Sequence, residues 1–161
     1  MIMKRALIII LISFLLLGFN GQSKGQDLTN LQYLKIEKQV DSIFHNMVKA
    51  AENVDYDKIS MGVDDKYNAG FIVNNSYYTK YDSLIDILKA NLRNGTKQSI
   101  SVQNKKITVL SDSIVLLTAS GDTHVALSTG QSFNVSFLWS FVYERINNDW
   151  KVIQSHQSRA N

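Results

Sequence analysis

The chain has 161 residues, which is room for one domain with a proper core rather than two. It contains no cysteine, so no disulfide, thiolate nucleophile or cysteine-based zinc site is possible. Of the 17 Lys and Arg residues, Lys4, Arg5 and Lys24 precede residue 25, whereas all 14 acidic residues follow it, so the remainder is electrically balanced. A nucleic-acid-binding protein usually carries a surplus of Lys and Arg that displaces phosphate counterions, and the composition argues against that class.

The first 25 residues have the three-part pattern of a secretory signal peptide. Lys4 and Arg5 precede an apolar run over residues 6–19, and small and polar residues follow it. Because a membrane anchor needs about 20 apolar residues, we expect a cleaved signal rather than an anchor. Cleavage after Gly25 would make Gln26 the new N-terminus. Since no cysteine follows the apolar run, the sequence predicts an exported bacterial protein, periplasmic or secreted, with no lipid anchor and no membrane attachment after cleavage.

Residues 26–161 show no internal repeat and no linker, so they are predicted to form one domain, and its first half has helical patterns. One long helix is indicated by apolar residues at helical spacing, namely Ile36, Val40, Ile43, Phe44, Met47, Val48 and Ala51. Thr29 with Gln32 predicts a capping box at its start. Asp55 could cap a short second helix.

A third helix and a small hairpin complete this half. The apolar residues between 81 and 92 predict the helix, with Thr79 and Asp82 as its cap. Apolar and aromatic residues on either side of Asn74-Asn75 predict two short strands joined by a tight turn.

The second half is predicted to be strand throughout, and its four strands cover residues 98–110, 113–128, 132–146 and 150–158. The second of these is long for a single strand, since most have about 3–10 residues. Gly121 therefore predicts a bulge or kink that curves the sheet. The alternative is a true turn at Gly121-Asp122, which would split the strand.

The register of these strands predicts a ligand-binding face. Alternate residues of the third long strand are mostly aromatic and form an aromatic wall: Phe133, Val135, Phe137, Trp139, Phe141 and Tyr143. With two-residue turns at both ends of this strand, Ser120 and His156 would oppose Trp139 from the two neighbouring strands, and directly opposed residues share a face. The predicted ligand pocket comprises Trp139, His156, Gln154, Phe137, Phe141, Tyr143, Ser120 and Ser158, with Thr118 and His124 on the same face. A turn one residue longer would flip either flanking strand.

The order of the elements resembles the nuclear transport factor 2-like superfamily. Residues 147–158, with a Trp after a turn, then a hydrophobic pair, a His and a Ser, are similar to the ending of its SnoaL-like and kinase-association-domain branches. The resemblance covers most of residues 35–158. It implies an α+β, cystatin-like arrangement in which a curved antiparallel sheet wraps around three N-terminal helices as a cone with a pocket. It also implies a single SnoaL-like domain over residues 26–161, a homodimer formed through the sheet, and His156 at or beside the pocket.

Two functions from different classes stay open. The first is an exported module that binds a small apolar or amphipathic molecule. The second is a cofactor-independent isomerase, dehydratase or cyclase with His156 as general acid or base and Ser120 or Gln154 polarising a carbonyl. Asp122 with His124 is either an acid/base pair or a polar strand end. We favour binding, because neither the Asp–His pair nor the Tyr–Asp constellation typical of catalytic members can be assigned.

Further observations bound these hypotheses. The three histidines lack metal-ligand spacing and no Gly-rich phosphate loop occurs, so we expect neither a metal nor a cofactor. A buried carboxylate bonded to His156 or His124 would favour the enzyme. A pocket lined only by aromatics, Ser and Gln would favour binding. In a third alternative, the pocket is filled by its own side chains and only the dimer surface acts.

Overall fold

The computed structural model of the protein describes residues 28–91 and 95–159. The predicted signal peptide and the predicted end of the third helix near Arg93 therefore lie outside the described residues. The elements in chain order are α1 Asn30–Glu52, α2 Tyr56–Met61, β1 Phe71–Val73, β2 Ser76–Tyr78, α3 Tyr81–Asn91, β3 Gly95–Val109, β4 Ile114–Leu127, β5 Ser132–Ile146 and β6 Asp149–Arg159.

The helices form where the sequence predicts them. The Thr29 hydroxyl accepts from the backbone N–H of Gln32, and the Gln32 side chain bonds back to Thr29, which completes the capping box of α1. Asp55 caps α2 by accepting from the backbone N–H of Lys58 at 3.1 Å. At the start of α3, the backbone N–H of Tyr81 donates to a carboxylate oxygen of Asp65 at 3.1 Å, a contact that the sequence analysis did not predict.

The sheet has six strands in the order β2-β1-β6-β5-β4-β3. All neighbouring strands are antiparallel except β1 and β6, which pair in parallel with Ile72 opposite His156. The predicted hairpin is therefore confirmed as β1 and β2, and it extends the sheet beyond the last strand. The turn at Asn74 has a positive φ of 52°, which asparagine tolerates better than most residues.

Gly121 lies in the middle of β4, and the strand runs through it without a turn. The alternative of a split strand is therefore wrong. The irregularity that Gly121 signals is on the neighbouring strand, where β3 has a bulge between Val102 and Asn104. A Cβ at Gly121 would lie 1.9 Å from the carbonyl oxygen of Ser101. Only glycine allows β3 to approach β4 this closely.

The core lies between the helices and the concave, inner face of the sheet. The largest fully buried side chains include Tyr143, Phe71 and Leu84, and the buried face of α1 packs against the same cluster through Val40 and Phe44. Within the described ranges, none of the helices is both long enough and apolar enough to span a membrane.

Candidate functional site

The register of β4 against β5 differs from the prediction by one residue. Ala119, rather than Ser120, lies opposite Trp139, and His124 lies opposite Asn134. The cause is the connecting loop, which has three residues between Leu127 and Gln131 instead of the two expected. Gly130 adopts a φ of +84° there, as in three-residue hairpin loops. A one-residue slip moves every side chain to the other face, so Thr118, Ser120 and His124 point away from the aromatic wall.

The register of β6 against β5 also differs from the prediction. The turn at Asn147-Asn148 is the two-residue turn predicted, and Tyr143 lies opposite Val152 as expected. A bulge at Ile153 then shifts the pairing, so that Gln157 rather than His156 lies opposite Trp139.

The same bulge puts Ser155 opposite Phe141, where the two-residue turn alone would place Gln154. Gln154, His156 and Ser158 consequently lie on the outer face of the sheet, and His156 is exposed. The prediction that they share a face with Trp139 is wrong.

The structure therefore divides the predicted pocket residues. Phe137 and Phe141 line hollows on the inner face only, whereas Ser120 and His156 line a hollow on the outer face only. Trp139 and Ser158 border hollows on both faces. Tyr143 is fully buried in the core. Gln154 is half-buried on the outer face, opposite Val142.

A partly enclosed cavity of about 170 Å³ lies between the three helices and the inner face of the sheet. Met47, Val48 and Ala51 of α1 form one wall, and Trp139 and Phe141 form the opposite one. The Trp139 ring also stacks on Phe137, with centroids 3.8 Å apart and planes inclined by 17°. An engineered apolar cavity of about 150 Å³ holds benzene, so this space takes about one aromatic ring, and a larger guest must extend beyond it.

Several polar side chains line this cavity, namely those of Tyr56, Tyr81, Gln98, Thr123, Ser155 and Gln157. The hydroxyl of Tyr56 donates to the carbonyl of Leu88 at 3.2 Å, and the amide of Gln98 donates to the carbonyl of Ala51. The Gln157 amide donates to the Ser155 hydroxyl oxygen at 3.4 Å. Within the described residues the hydroxyl proton of Ser155 has no acceptor, although the residue is only 1% exposed. Ser155 can therefore donate a hydrogen bond to a guest.

The cavity is electrically neutral. None of the described residues that line it is a His, Asp, Glu, Lys or Arg. Two tyrosines do line it, and burial raises the pKa of both Tyr56 and Tyr81 above the ordinary value, so both stay protonated at neutral pH. A charged group placed here would meet no opposite charge and would be costly to desolvate.

The outer hollow is larger, about 570 Å³, but it is an open depression on the sheet. Its lining combines the polar groups of Asn104, Lys106, Ser140 and His156 with apolar surface such as the exposed side chain of Leu138. Because it is open to solvent, it buries less of a small molecule than the inner cavity does.

The candidate acid/base pair lies on the outer face as well. One carboxylate oxygen of Asp122 accepts from the Ser136 hydroxyl at 2.6 Å, and the other accepts from the Gln103 amide. His124 bonds through Nδ1 to the amide oxygen of Asn134 at 2.8 Å. Asp122 and His124 are thus each held by a neutral cross-strand partner, which matches the interpretation as a polar strand end. In the part of the chain that the structure describes, no cluster of three or more His, Cys, Asp or Glu could hold a metal ion.

A sheet curved around three helices with a cavity between them defines the nuclear transport factor 2-like class of α+β proteins. The family model of the SnoaL-like domain matches residues 40–161, and the chain belongs to this family. No curated protein matches the chain significantly in sequence.

Solved structures show the same fold at low sequence identity. A nuclear transport factor 2-like superfamily protein from Salmonella enterica serovar Typhimurium has a TM-score of 0.71 at 11% identity, covering 80% of this chain and 94% of its own. The hexachlorocyclohexane dehydrochlorinase LinA-type3 from Novosphingobium barchaimii has a TM-score of 0.69 at 13% identity, covering 83% and 92%. A protein of unknown function from Shewanella oneidensis has a TM-score of 0.57 at 15% identity, covering 75% and 97%.

The sequence analysis missed the polar residues of the inner cavity. Ser155 and Gln157 alternate along β6 with the predicted pocket residues Gln154, His156 and Ser158. Only the bulge at Ile153 turns Ser155 and Gln157 inward. Tyr56 and Gln98 come from α2 and β3, which the register argument did not connect to the aromatic wall. If one bulge in β6 is allowed for, the alternation of side chains between the two faces predicts Ser155 and Gln157 on the face of Trp139.

Proposed function

We propose that this protein is an exported binding protein that holds a small apolar or amphipathic molecule in the inner cavity. The observation that carries the proposal is the lining of that cavity, in which aromatic and aliphatic walls surround a few uncharged hydrogen-bonding groups. This is the common composition of small-molecule sites. A guest that buries about 200 Å² of apolar surface gains about 5 kcal/mol at 25 cal/mol per Å², before the costs of association are subtracted.

The choice of binding over catalysis rests on where the ionisable groups lie. An enzyme of the isomerase or dehydratase type needs a general acid or base that reaches the bound substrate. His156, the candidate for this role, lies on the outer face and is exposed. The dehydrochlorinase from Novosphingobium barchaimii has the same fold, but at 13% identity this likeness does not transfer its activity to this chain.

Filling the inner cavity tests the proposal. Ala51→Phe places a ring in the space beside Met47 and Trp139, and Ala90→Phe is the matched control because Ala90 is exposed on α3. The probe is phenylnaphthylamine, an uncharged dye that fluoresces in apolar surroundings. We expect wild type and Ala90→Phe to bind it equally and Ala51→Phe to bind it at least about tenfold more weakly, with unchanged circular dichroism. Equal binding by a folded Ala51→Phe variant would contradict the proposal.

The proposed assembly is a homodimer formed through the outer face of the sheet. This face exposes 52% of Leu138 and carries the half-buried Leu116 and Val142 beside it. Leu138→Lys should shift the dimer to monomer in light scattering. Leu31→Lys is the control, because Leu31 is 80% exposed near the start of α1. A wild-type monomer, or a dimer that both variants leave intact, would refute this assembly.

The proposed export is tested on the mature protein. The intact mass of the protein recovered from the exported fraction should match a chain that begins at Gln26, if the signal is cleaved after Gly25. A chain that retains Met1 would contradict the cleavage.

A further inference from the structure

The inner cavity continues into a second hollow at the end of the sheet where β5 begins and β6 ends. This mouth has a volume of about 200 Å³, and its sheet wall is formed by Phe133, Val135 and Phe137. The cavity and the mouth share Trp139 and Gln157, together with residues of α3, β3 and β4. A guest seated against Trp139 therefore adjoins the mouth, where the aromatic wall continues outward.

A polar row runs along β6 from the cavity to the mouth. Ser155, Gln157 and Arg159 alternate along the strand and line the inner face, with Ser155 buried and Arg159 exposed at the end. Since a strand rises about 3.3 Å per residue, Ser155 and Arg159 are about 13 Å apart along the row. The row thus offers a hydroxyl at depth, an amide midway and a guanidinium at the entrance.

Arg159 is the one charged side chain among the described residues that line the cavity or the mouth. It makes no ion pair within residues 28–91 and 95–159, so its guanidinium is available to a ligand. A guanidinium presents a planar pair of N–H donors that matches the two oxygens of a carboxylate, sulfonate or phosphate. A cationic ligand would meet repulsion at the entrance and no carboxylate inside.

We propose that the ligand of this site is an elongated amphipathic anion, with its apolar body in the cavity and its acidic head on Arg159. This inference rests on the proposed binding function and specifies its ligand class. The head lies at the solvent-facing end, where it keeps part of its hydration, and the neutral cavity takes only the uncharged body. The distance from Arg159 to Ser155 sets a length of about 13 Å for a ligand that reaches both ends.

Two dyes that share one ring system distinguish the contribution of the charged head to binding from that of the apolar body. Anilinonaphthalene sulfonate carries an anionic head on the ring system that phenylnaphthylamine presents without charge. Arg159→Gln removes the guanidinium, and Lys35→Gln is the matched control because Lys35 is exposed on α1 away from the mouth. Dissociation constants of both dyes are measured by fluorescence for wild type and both variants, with circular dichroism as the check on folding.

The expected result is a loss confined to one dye and one variant. Arg159→Gln should raise the dissociation constant of the sulfonate by about five- to twentyfold, because a charge-assisted contact is lost, and leave that of the neutral dye within about twofold. Lys35→Gln should change neither. If both dyes bind and Arg159→Gln leaves the sulfonate unaffected, the anion proposal is overturned while the binding function stands. If Ala51→Phe also fails to weaken the neutral dye, the binding function itself fails.

Discussion

Replacing Gly121 by alanine tests how closely β3 and β4 approach each other. The added Cβ would lie 1.9 Å from the carbonyl oxygen of Ser101 and 2.9 Å from the tip of the Phe137 ring. Real contacts of this kind essentially never fall below 3.0 Å, so one strand must move by about 1 Å. The ring can turn, but the Ser101 carbonyl belongs to the backbone of β3 and moves only with the strand.

The expected loss of stability follows from this displacement. Overpacking a well-ordered core costs about 1–3 kcal/mol, and an obstacle made of backbone puts Gly121→Ala near the upper end, at about 3 kcal/mol. With a denaturant slope of about 1.5 kcal/mol per M, the urea midpoint should fall by about 2 M. This is a large part of the about 5–15 kcal/mol by which a domain is usually stable.

The assay is urea unfolding followed by tryptophan fluorescence and by circular dichroism. Gly62→Ala is the control, since Gly62 has an ordinary φ of −83° and a Cβ there would meet the Ile59 carbonyl oxygen only at 3.3 Å. Gly62→Ala restricts the unfolded chain in the same way as Gly121→Ala does. Its free energy of unfolding should stay within about 1 kcal/mol of the wild-type value. If Gly121→Ala is as stable as Gly62→Ala, the close approach of the two strands is refuted.

Two further predictions concern single polar groups. The backbone N–H of Tyr81, helped by Lys80, holds the pKa of Asp65 below its usual value of 3.8. The ionised Asp65 therefore stabilises the folded protein fully above pH 3.8, and this contribution is lost as the pH falls through the lowered pKa. Asp65→Ala should therefore cost about 1 kcal/mol at neutral pH in urea unfolding and progressively less as the pH falls below 3.8, and a pH-independent cost would contradict the contact. Tyr143→Phe should leave stability unchanged or raise it by up to about 1 kcal/mol, because the buried hydroxyl has no partner among the described residues. A clear loss in thermal unfolding would show that this hydroxyl is hydrogen-bonded.

The fold could be predicted because its determinants are local. Each determinant involves residues that are near one another in sequence. Examples are the capping box at Thr29, the apolar face of α1 and the Asn147-Asn148 turn. Both asparagines of that turn have positive φ values, 51° and 69°, as a tight two-residue turn requires. The tie between Asp65 and Tyr81 could not be predicted in this way, since it joins residues 16 apart whose proximity depends on the packing of α3.

The candidate site was harder to predict, because it depends on parity along strands of 11 to 15 residues. One additional loop residue before β5 turned Ser120 outward, and one bulge at Ile153 turned His156 outward and Ser155 inward. Neither irregularity has a strong sequence signal, since Ile153 is an ordinary strand residue and Thr129-Gly130 also suits a two-residue turn.

The longer loop before β5 and the bulge at Ile153 together place different kinds of side chain on the two faces of the sheet. The outer face receives the two described histidines of the sheet, His124 and His156, with hydroxyl and amide groups and the exposed Leu138 between them. The inner face keeps the aromatic wall, and the described residues that line the cavity and the mouth against it are uncharged except Arg159 at the open end. Lys105 lies on the same face outside the cavity, where it pairs with Asp41 of α1. Proton transfer would require an ionisable group beside the guest, whereas retention of a guest requires burial and a few fixed donors. The inner face offers the second set, which supports the proposed retention of a ligand there, and the open outer face is where the proposed dimer would form.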